Sequence, residues 1–133
     1  MKAADTSLVV AAFASWHEKH EVARDALDRG LGLVEHCALE TYSVLTRLPP
    51  PHRAPAEIVR QFLGERFRGP FLRLTPGAYR AFILDLPDHE VTGGAAYDAL
   101  VAATAAHAGA ELMSCDRRAL SVYERYGVRV HLL

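Results

Sequence analysis

Short apolar segments alternate with longer helix-like segments along this chain of 133 residues, and that alternation constrains the fold more than any other feature. The helix-like segments fall at 6–14, 17–30, 39–48, 54–67, 75–86, 95–109 and 117–127. The strand-like segments fall at 2–5, 31–37, 69–74, 110–115 and 128–133. Strands separated by helices are typical of a parallel sheet with helices on both faces, so we expect an α/β fold in a single domain, residues 1–133.

The segment 95–109 is the most regular of the helix-like ones. Its apolar and small residues recur with the helical period, at Tyr97, Leu100, Val101, Thr104, Ala105 and Ala108. Small side chains on this stripe favour close packing on a sheet. Two other helix starts are predicted from capping: Thr6 or Ser7 for helix 6–14, and Thr75 followed by Pro76 for helix 75–86.

Composition sets broad limits on the function. Half of the residues are hydrophobic and the formal net charge is −1, which fits a folded globular domain rather than a disordered chain. The apolar runs are shorter than the roughly 20 residues that span a bilayer, so we expect no membrane segment. Asp5 interrupts the apolar N-terminal stretch and no clear cleavage site follows, so the sequence favours a cytoplasmic protein without a signal peptide.

Cysteine and histidine give little indication of a metal site. Cys37 and Cys115 lack metal-type spacing and are interpreted as apolar side chains in a reducing compartment. His17 and His20 lie three residues apart, which is compatible with metal ligation, but a solvated helix face is the favoured interpretation.

Four acidic residues fall where a parallel sheet would bring them together. They are Asp5, Glu40, Asp98 and Asp116. Three of them follow a predicted strand, and Asp98 lies in the first turn of helix 95–109. The carboxyl ends of parallel strands form the ligand crevice of such a sheet, and converging carboxylates repel one another unless a cation lies between them. Each acid taken alone could instead be a helix cap or a solvated side chain.

A carboxylate site without clustered Cys or His favours Mg²⁺ or Mn²⁺ over zinc or copper. Such ions can activate water and clamp a phosphodiester during displacement. Competing schemes lack their motifs: there is no Gly-rich phosphate loop after the first strand and no G-x-S-x-G turn. The residues therefore indicate a divalent-metal site as the first functional hypothesis.

The order of these motifs resembles the PIN-domain family, and more narrowly the VapC-type toxins of bacterial toxin–antitoxin pairs. The resemblance rests on "ADTS", "LETYSVLTRL", "GGAAYDALVAATAAHAGAELMSCD" and "YGVRVHLL". It covers nearly the whole chain, although residues 48–90 are less diagnostic. It implies a three-layer α/β/α sandwich with a five-stranded, mostly parallel sheet.

The resemblance also implies an activity, a metal-dependent endoribonuclease. Asp5, Asp98 and Asp116 map onto the metal ligands, directly or through water, and Glu40 would orient a metal-bound water or a second ion. Thr6 and Ser114 lie where a hydroxyl supports that site. Basic residues at the rim must attract the RNA backbone, and the candidates nearest the acids in sequence are Arg47, Arg117 and Arg118. These three could equally be exposed helix residues with local ion pairs.

Partners follow from the same resemblance. A small VapB-like antitoxin is expected to lie in a groove beside the site, and the toxin is expected to form a homodimer. Four residues are candidates for that groove or for simple core: Phe62, Leu63, Phe67 and Phe71. Two other functions remain open: a PIN-type nuclease that works without an antitoxin, in RNA processing or structure-specific DNA cleavage, and a PIN-like domain that binds RNA or protein without catalysis.

Overall fold

A computed structural model of the chain describes residues Met1 to Leu133, and it confirms the α/β class. The strands are β1 (Lys2–Ala4), β2 (Gly32–Leu33), β3 (Glu111–Ser114) and β4 (Val130–Leu132). The helices are α1 (Thr6–Phe13), α2 (His20–Asp28), α3 (Glu35–Arg47), α4 (Ala56–Arg66), α5 (Pro76–Asp85), α6 (Ala95–His107) and α7 (Leu120–Arg125). Two short 3₁₀ turns, Leu86–His89 and Arg117–Ala119, precede α6 and α7.

The sheet is parallel throughout, with the strand order β2-β1-β3-β4. β1 and β3 are the two central strands, and Ala4 pairs with Met113. Residues that follow these strands therefore emerge side by side at one edge of the sheet. This edge is where the sequence predicted a ligand crevice.

The predicted strand count was wrong, because four strands form rather than five. The segment 69–74 makes only a single parallel bridge, between Leu72 and Val34. Gly69 and Pro70 interrupt the segment, and proline has no backbone N–H to donate to a ladder. Leu72 therefore extends the β2 edge at one position without forming a strand.

The second predicted strand, 31–37, was also too long. β2 ends at Leu33, and α3 begins at Glu35. The buried residues Cys37, Thr41 and Leu45 recur every four positions, which is the helical period rather than the strand period. Local sequence did contain the correct signal, but the apolar run at 31–34 masked it.

The main core lies between the sheet and its flanking helices. Ala4, Leu8, Leu112 and Ala102 are fully buried within it. α6 presents alanines at positions 102 and 105 to this interior, so its backbone can lie close to the sheet. No helix has both the length and the apolar character needed to cross a membrane.

Candidate active site

Four acidic side chains, from four separate parts of the chain, line one small cavity at the carboxyl edge of the sheet. They are Asp5, Glu40, Asp98 and Asp116. Asp5 follows β1 directly and Asp116 lies two residues beyond β3, while α3 and α6 supply the other two. The free volume between them is about 40 Å³. No three His, Cys, Asp or Glu side chains of the chain approach closely enough to chelate one ion in this arrangement.

Asp5 is the most enclosed of the four, with 2% of its surface exposed. It is the N-cap of α1, and its Oδ1 accepts hydrogen bonds from the Leu8 N–H (3.1 Å) and the Ser7 hydroxyl (2.6 Å). Its Oδ2 accepts from the hydroxyl of Tyr123 (2.9 Å). Burial raises the pKa of Asp5, and these hydrogen bonds oppose that rise. The expectation that Thr6 or Ser7 caps the helix was wrong, because the Asp5 carboxylate accepts the Leu8 N–H and makes Asp5 the N-cap.

Two serine hydroxyls tie the ends of β1 and β3 together. The Cys115 N–H donates to Ser7 Oγ (2.8 Å), and Ser7 Oγ lies 3.3 Å from Ser114 Oγ. Ser114, which is fully buried, accepts the Asp116 N–H at 2.9 Å. The network fixes the backbone on either side of the two aspartates, and the Ser114 hydroxyl contributes through its bond to the Asp116 N–H.

Asp116 lies at the rim of the cavity. It is the N-cap of the turn Arg117–Ala119, and its Oδ1 accepts the Arg118 N–H at 2.9 Å. The Arg118 guanidinium reaches Oδ2 at 3.2 Å, although 90% of the Arg118 side chain is exposed. An ion pair as exposed as this stabilises the fold little, and a competing ligand at Asp116 would meet little resistance from it.

Asp98 shows the electrostatic cost of the arrangement. Burial raises the pKa of Asp98, and the negative charges of Asp116 and Glu40 raise it further. The neighbouring carboxylates are close enough to disfavour the ionisation of Asp98. This repulsion is what a cation between them would relieve.

Glu40 lies in the second turn of α3 rather than in the first turn of a helix 39–48, because α3 begins at Glu35, four residues before the predicted start. Its Oε2 is 3.7 Å from Nε2 of His36, one turn back on the same helix. His36 Nε2 is buried and makes no hydrogen bond. The pair therefore presents an acceptor and a ring nitrogen to the same cavity.

The remaining polar residues of the cavity fall into two kinds. Thr6 lines it with a buried hydroxyl that has no hydrogen-bond partner, so that oxygen is available to a ligand or to water. Cys37 is fully buried at its floor, and burial raises the pKa of its thiol to about 12. The other cysteine, Cys115, does not line the cavity; it is half-buried, and burial raises its pKa to about 11. Both thiols therefore remain protonated, consistent with unreactive side chains.

Only one of the three predicted arginines reaches the acids. Arg118 contacts Asp116, whereas Arg117 and Arg47 are exposed and absent from the cavity lining. Arg47 donates to the Ser43 hydroxyl at 2.7 Å. It lies seven residues beyond Glu40, which is roughly 10 Å along a helix axis. Nδ1 of His17 accepts the Lys19 N–H, and Nδ1 of His20 lies 2.9 Å from the Ala11 carbonyl oxygen. These nitrogens therefore contact the backbone and do not face each other across a metal site.

The four candidates for a partner groove do not lie on one surface. Phe67 is buried, Leu63 is packed against the core, and Phe71 is exposed after α4. Phe62 does line a groove, about 380 Å³ in volume, between α1, α2 and α4. Its ring meets Phe13 edge to face at 5.2 Å, and Ile58 beside it is 50% exposed.

Sequence reasoning missed four side chains of the cavity: Ser7, His36, Tyr97 and Tyr123. Ser7 had a local signal, because a serine two residues after a strand-end aspartate can bond back to it. Tyr123 had none, since it reaches Asp5 across 118 positions of sequence.

The donor set of the cavity fits a hard divalent cation. It consists of carboxylate and hydroxyl oxygens, without a thiolate pair or a histidine cluster, and such oxygens are the ligands that Mg²⁺ and Mn²⁺ prefer. The unpartnered Thr6 hydroxyl and the mutual repulsion at Asp98 are both features that a cation or its waters would satisfy.

Comparisons with known proteins identify the family of the chain. A family profile described as "PIN domain" matches residues 3–125. The chain is 52% identical over 133 residues to Ribonuclease VapC40 of Mycobacterium tuberculosis, in strains CDC 1551 / Oshkosh and ATCC 25618 / H37Rv, covering 100% of this chain and 99% of the relative. It is 44% identical to Ribonuclease VapC27 of Mycobacterium tuberculosis (strain ATCC 25618 / H37Rv), covering 96% of this chain and 93% of the relative.

A solved structure shares the fold. It is described as the crystal structure of FitAcB from Neisseria gonorrhoeae, and it superposes with a TM-score of 0.69 at 18% identity, covering 98% of this chain and 96% of that chain. At that identity the likeness concerns the fold alone. With the profile match and the full-length identity, it follows that the chain belongs to the PIN-domain family, and within it to the VapC-type proteins.

Proposed function

We propose that this chain is a divalent-metal-dependent endoribonuclease and the toxin of a toxin–antitoxin pair. The observation that carries the proposal is the convergence of Asp5, Glu40, Asp98 and Asp116 on one cavity. The full-length identity to two proteins called ribonucleases supports RNA as the substrate. Free thiols at Cys37 and Cys115 fit a reducing cytoplasm as the place of action.

Asp5, Asp98 and Asp116 would hold Mg²⁺ or Mn²⁺ partly through bridging water, because the three carboxylates do not approach closely enough to chelate one ion directly. Glu40 would be an outer acceptor. A bound divalent cation would supply charge neutralisation at the phosphodiester and would lower the pKa of water. The Asp5 carboxylate is held in one orientation by hydrogen bonds from Tyr123, Ser7 and the Leu8 N–H. It is therefore already oriented before a ligand binds. Ser114 does the same for the backbone at Asp116.

Glu40 has a separate role in the proposal. Its carboxylate is 43% exposed and faces His36 rather than a tight hydrogen-bond network, so it is free to accept a proton or to orient a water. Arg118 at the rim can attract the negatively charged RNA backbone, which the acids would otherwise repel.

Cleavage assays on the purified chain test the activity. We expect single-stranded RNA to be cut with Mg²⁺ or Mn²⁺ and to stay intact with EDTA. Asp5→Asn should reduce cleavage at least about a hundredfold, because oriented charged groups supply effects of that size. A chain that cuts equally well in EDTA, or an Asp5→Asn variant with full activity, would contradict the metal assignment.

The partner part of the proposal needs a different experiment. The groove of Phe13, Ile58 and Phe62 has Arg24 and Arg66 at its edge, and it fits an amphipathic segment of a small inhibitor with acidic flanks. Expression of the chain should arrest growth, and co-expression of the small protein encoded beside it should relieve the arrest. Arrest that no neighbouring gene relieves would favour a nuclease without an antitoxin.

The proposed toxin is also expected to be a homodimer. Exposed apolar residues on α5, Ile83 among them, provide surface for such contact. Sedimentation of the purified chain distinguishes a monomer from a dimer directly.

A further inference from the structure

A second cavity adjoins the acidic one, and the two share a side chain. This side cavity has a volume of about 560 Å³, within the range of small-molecule pockets. Leu39, Tyr79 and Leu100 supply its apolar surface, and His36 lines both this cavity and the acidic one. The two cavities therefore meet at one imidazole ring.

Tyr97 lies beside His36 in the acidic cavity and does not line the side cavity. Its ring stacks on His36 with a centroid separation of 5.4 Å and an interplanar angle of 12°. It also lines the acidic cavity, yet it remains 60% exposed. One side of the Tyr97 ring is thus covered by His36, while much of the rest is open to solvent. Core packing does not account for an aromatic ring with this exposure directly before Asp98.

The chemistry of the side cavity suits a flat, hydrogen-bonding ring. Its rim carries Glu35 and Arg73, whose carboxylate and guanidinium lie 3.8 Å apart and are both more than half exposed. They offer acceptors and donors next to each other at the mouth of an apolar pocket. Unpaired nucleobases are recognised in this way, by stacking on aromatic rings and by hydrogen bonds to their edges.

We propose that the His36–Tyr97 pair is a stacking platform for one unpaired RNA base, and that the base next to the cleaved phosphodiester enters the side cavity. This inference rests on the proposed function and specifies how its substrate is held. The acids repel the RNA backbone and the net charge of the chain is −1, so base stacking would supply attraction that does not depend on charge.

Substitutions at Tyr97 test the platform. Binding is measured on an Asp5→Asn background with Mn²⁺, using fluorescein-labelled single-stranded RNA of random sequence and a fully paired RNA duplex. Tyr97→Leu should raise the Kd for the single strand about tenfold, as loss of one stacked base does elsewhere, and should leave duplex binding unchanged. Tyr97→Phe retains the ring and should bind within about twofold of the background.

Tyr42→Leu is the matched control, since Tyr42 is also an exposed tyrosine on a neighbouring helix but lines neither cavity. It should leave the Kd unchanged. A Tyr97→Leu variant that binds single strands as tightly as the control overturns the platform. The platform is also overturned if Tyr97→Leu converts a dimeric protein into a monomer while the Kd for single-stranded RNA, per chain, stays unchanged. Tyr97 would then be a residue of the dimer interface.

Failure of the proposed function gives a different result. If the wild-type chain cuts RNA and Tyr97→Leu cuts and binds equally well, only the platform is wrong. If the wild-type chain neither binds nor cuts RNA with Mn²⁺, the nuclease proposal itself falls and the platform with it.

Discussion

Asp98 carries a conflict between stability and function at the level of a single residue. Burial and its acidic neighbours raise the pKa of Asp98, so the folded chain binds that proton more tightly than the unfolded chain does. Its contribution to stability is therefore greatest below the ordinary pKa of 3.8 and is lost as the pH rises through the folded-state value. At neutral pH without metal, the ionised carboxylate destabilises the fold.

Asp98→Asn should therefore stabilise the metal-free protein, by a few degrees in Tm at neutral pH. The advantage over wild type should vanish as the pH falls below about 4, because the native carboxyl is then protonated in both states. Thermal unfolding in EDTA across a pH series measures both effects. A variant less stable than wild type at neutral pH would show that Asp98 is not under electrostatic stress.

The Tyr123 hydroxyl holds the most buried acid. Tyr123→Phe keeps the ring and removes the donor to Asp5 Oδ2, and hydrogen bonds to charged groups contribute about 1.5–3 kcal/mol. We expect a loss of that size in the free energy of unfolding, measured in urea, together with weaker Mn²⁺ binding.

Tyr126→Phe is its control, because the Tyr126 hydroxyl is buried without a partner and its removal should cost close to nothing. If both variants lose the same free energy of unfolding, the loss comes from removing a tyrosine hydroxyl as such, and the hydrogen bond to Asp5 adds no stability of its own.

At the scale of elements, sequence pattern located most helices but misplaced the β2 edge. α6 was predicted from its stripe of small and apolar residues, and Asp98 lies in its first turn as expected. Glu40 was assigned to the wrong turn, because the boundary between β2 and α3 depends on how Cys37 and Thr41 pack rather than on local propensity.

The acid cavity was predictable from strand ends, since that argument needs only topology. Tyr123 and His36 were not, because their roles depend on contacts between distant segments and on which face of a helix turns inward. Closeness in sequence to an acid does not fix the direction of a long, exposed side chain, so it was also not predictable that Arg118 contacts an acid while Arg47 contacts Ser43. The RNA-binding role of the three arginines stays a prediction.

The close packing of α6 makes a further prediction at this scale. Ala102 is fully buried against the sheet, so Ala102→Leu should cost about 1–3 kcal/mol of stability and shift Asp98 out of position. Ala106→Leu, exposed one turn along the same helix, should change stability by less than about 0.5 kcal/mol. Urea unfolding and Mn²⁺ titration of both variants separate a packing effect from a general effect of leucine in α6.

At the scale of the whole molecule, the acid site and the groove between α1, α2 and α4 are lined by different residues. The two surfaces share α1, which begins at the acid site and supplies Phe13 to the groove at its other end. An inhibitor bound in the groove can thus reach the site while its anchoring contacts remain outside it. Inhibition and catalysis should then be separable by mutation.

Ile58→Glu places a charge on the half-exposed apolar wall of the groove and leaves the acids untouched. It should abolish relief of growth arrest by the co-encoded inhibitor, while RNA cleavage stays within about twofold of wild type. The reason is that the glutamate would be buried without a partner in the complex, which weakens binding strongly, but stays exposed to water in the free chain. Leu84→Glu, an exposed aliphatic on α5, is the control and should remain inhibitable. Full inhibition of the Ile58→Glu variant would place the inhibitor on another face and leave the groove without its proposed occupant.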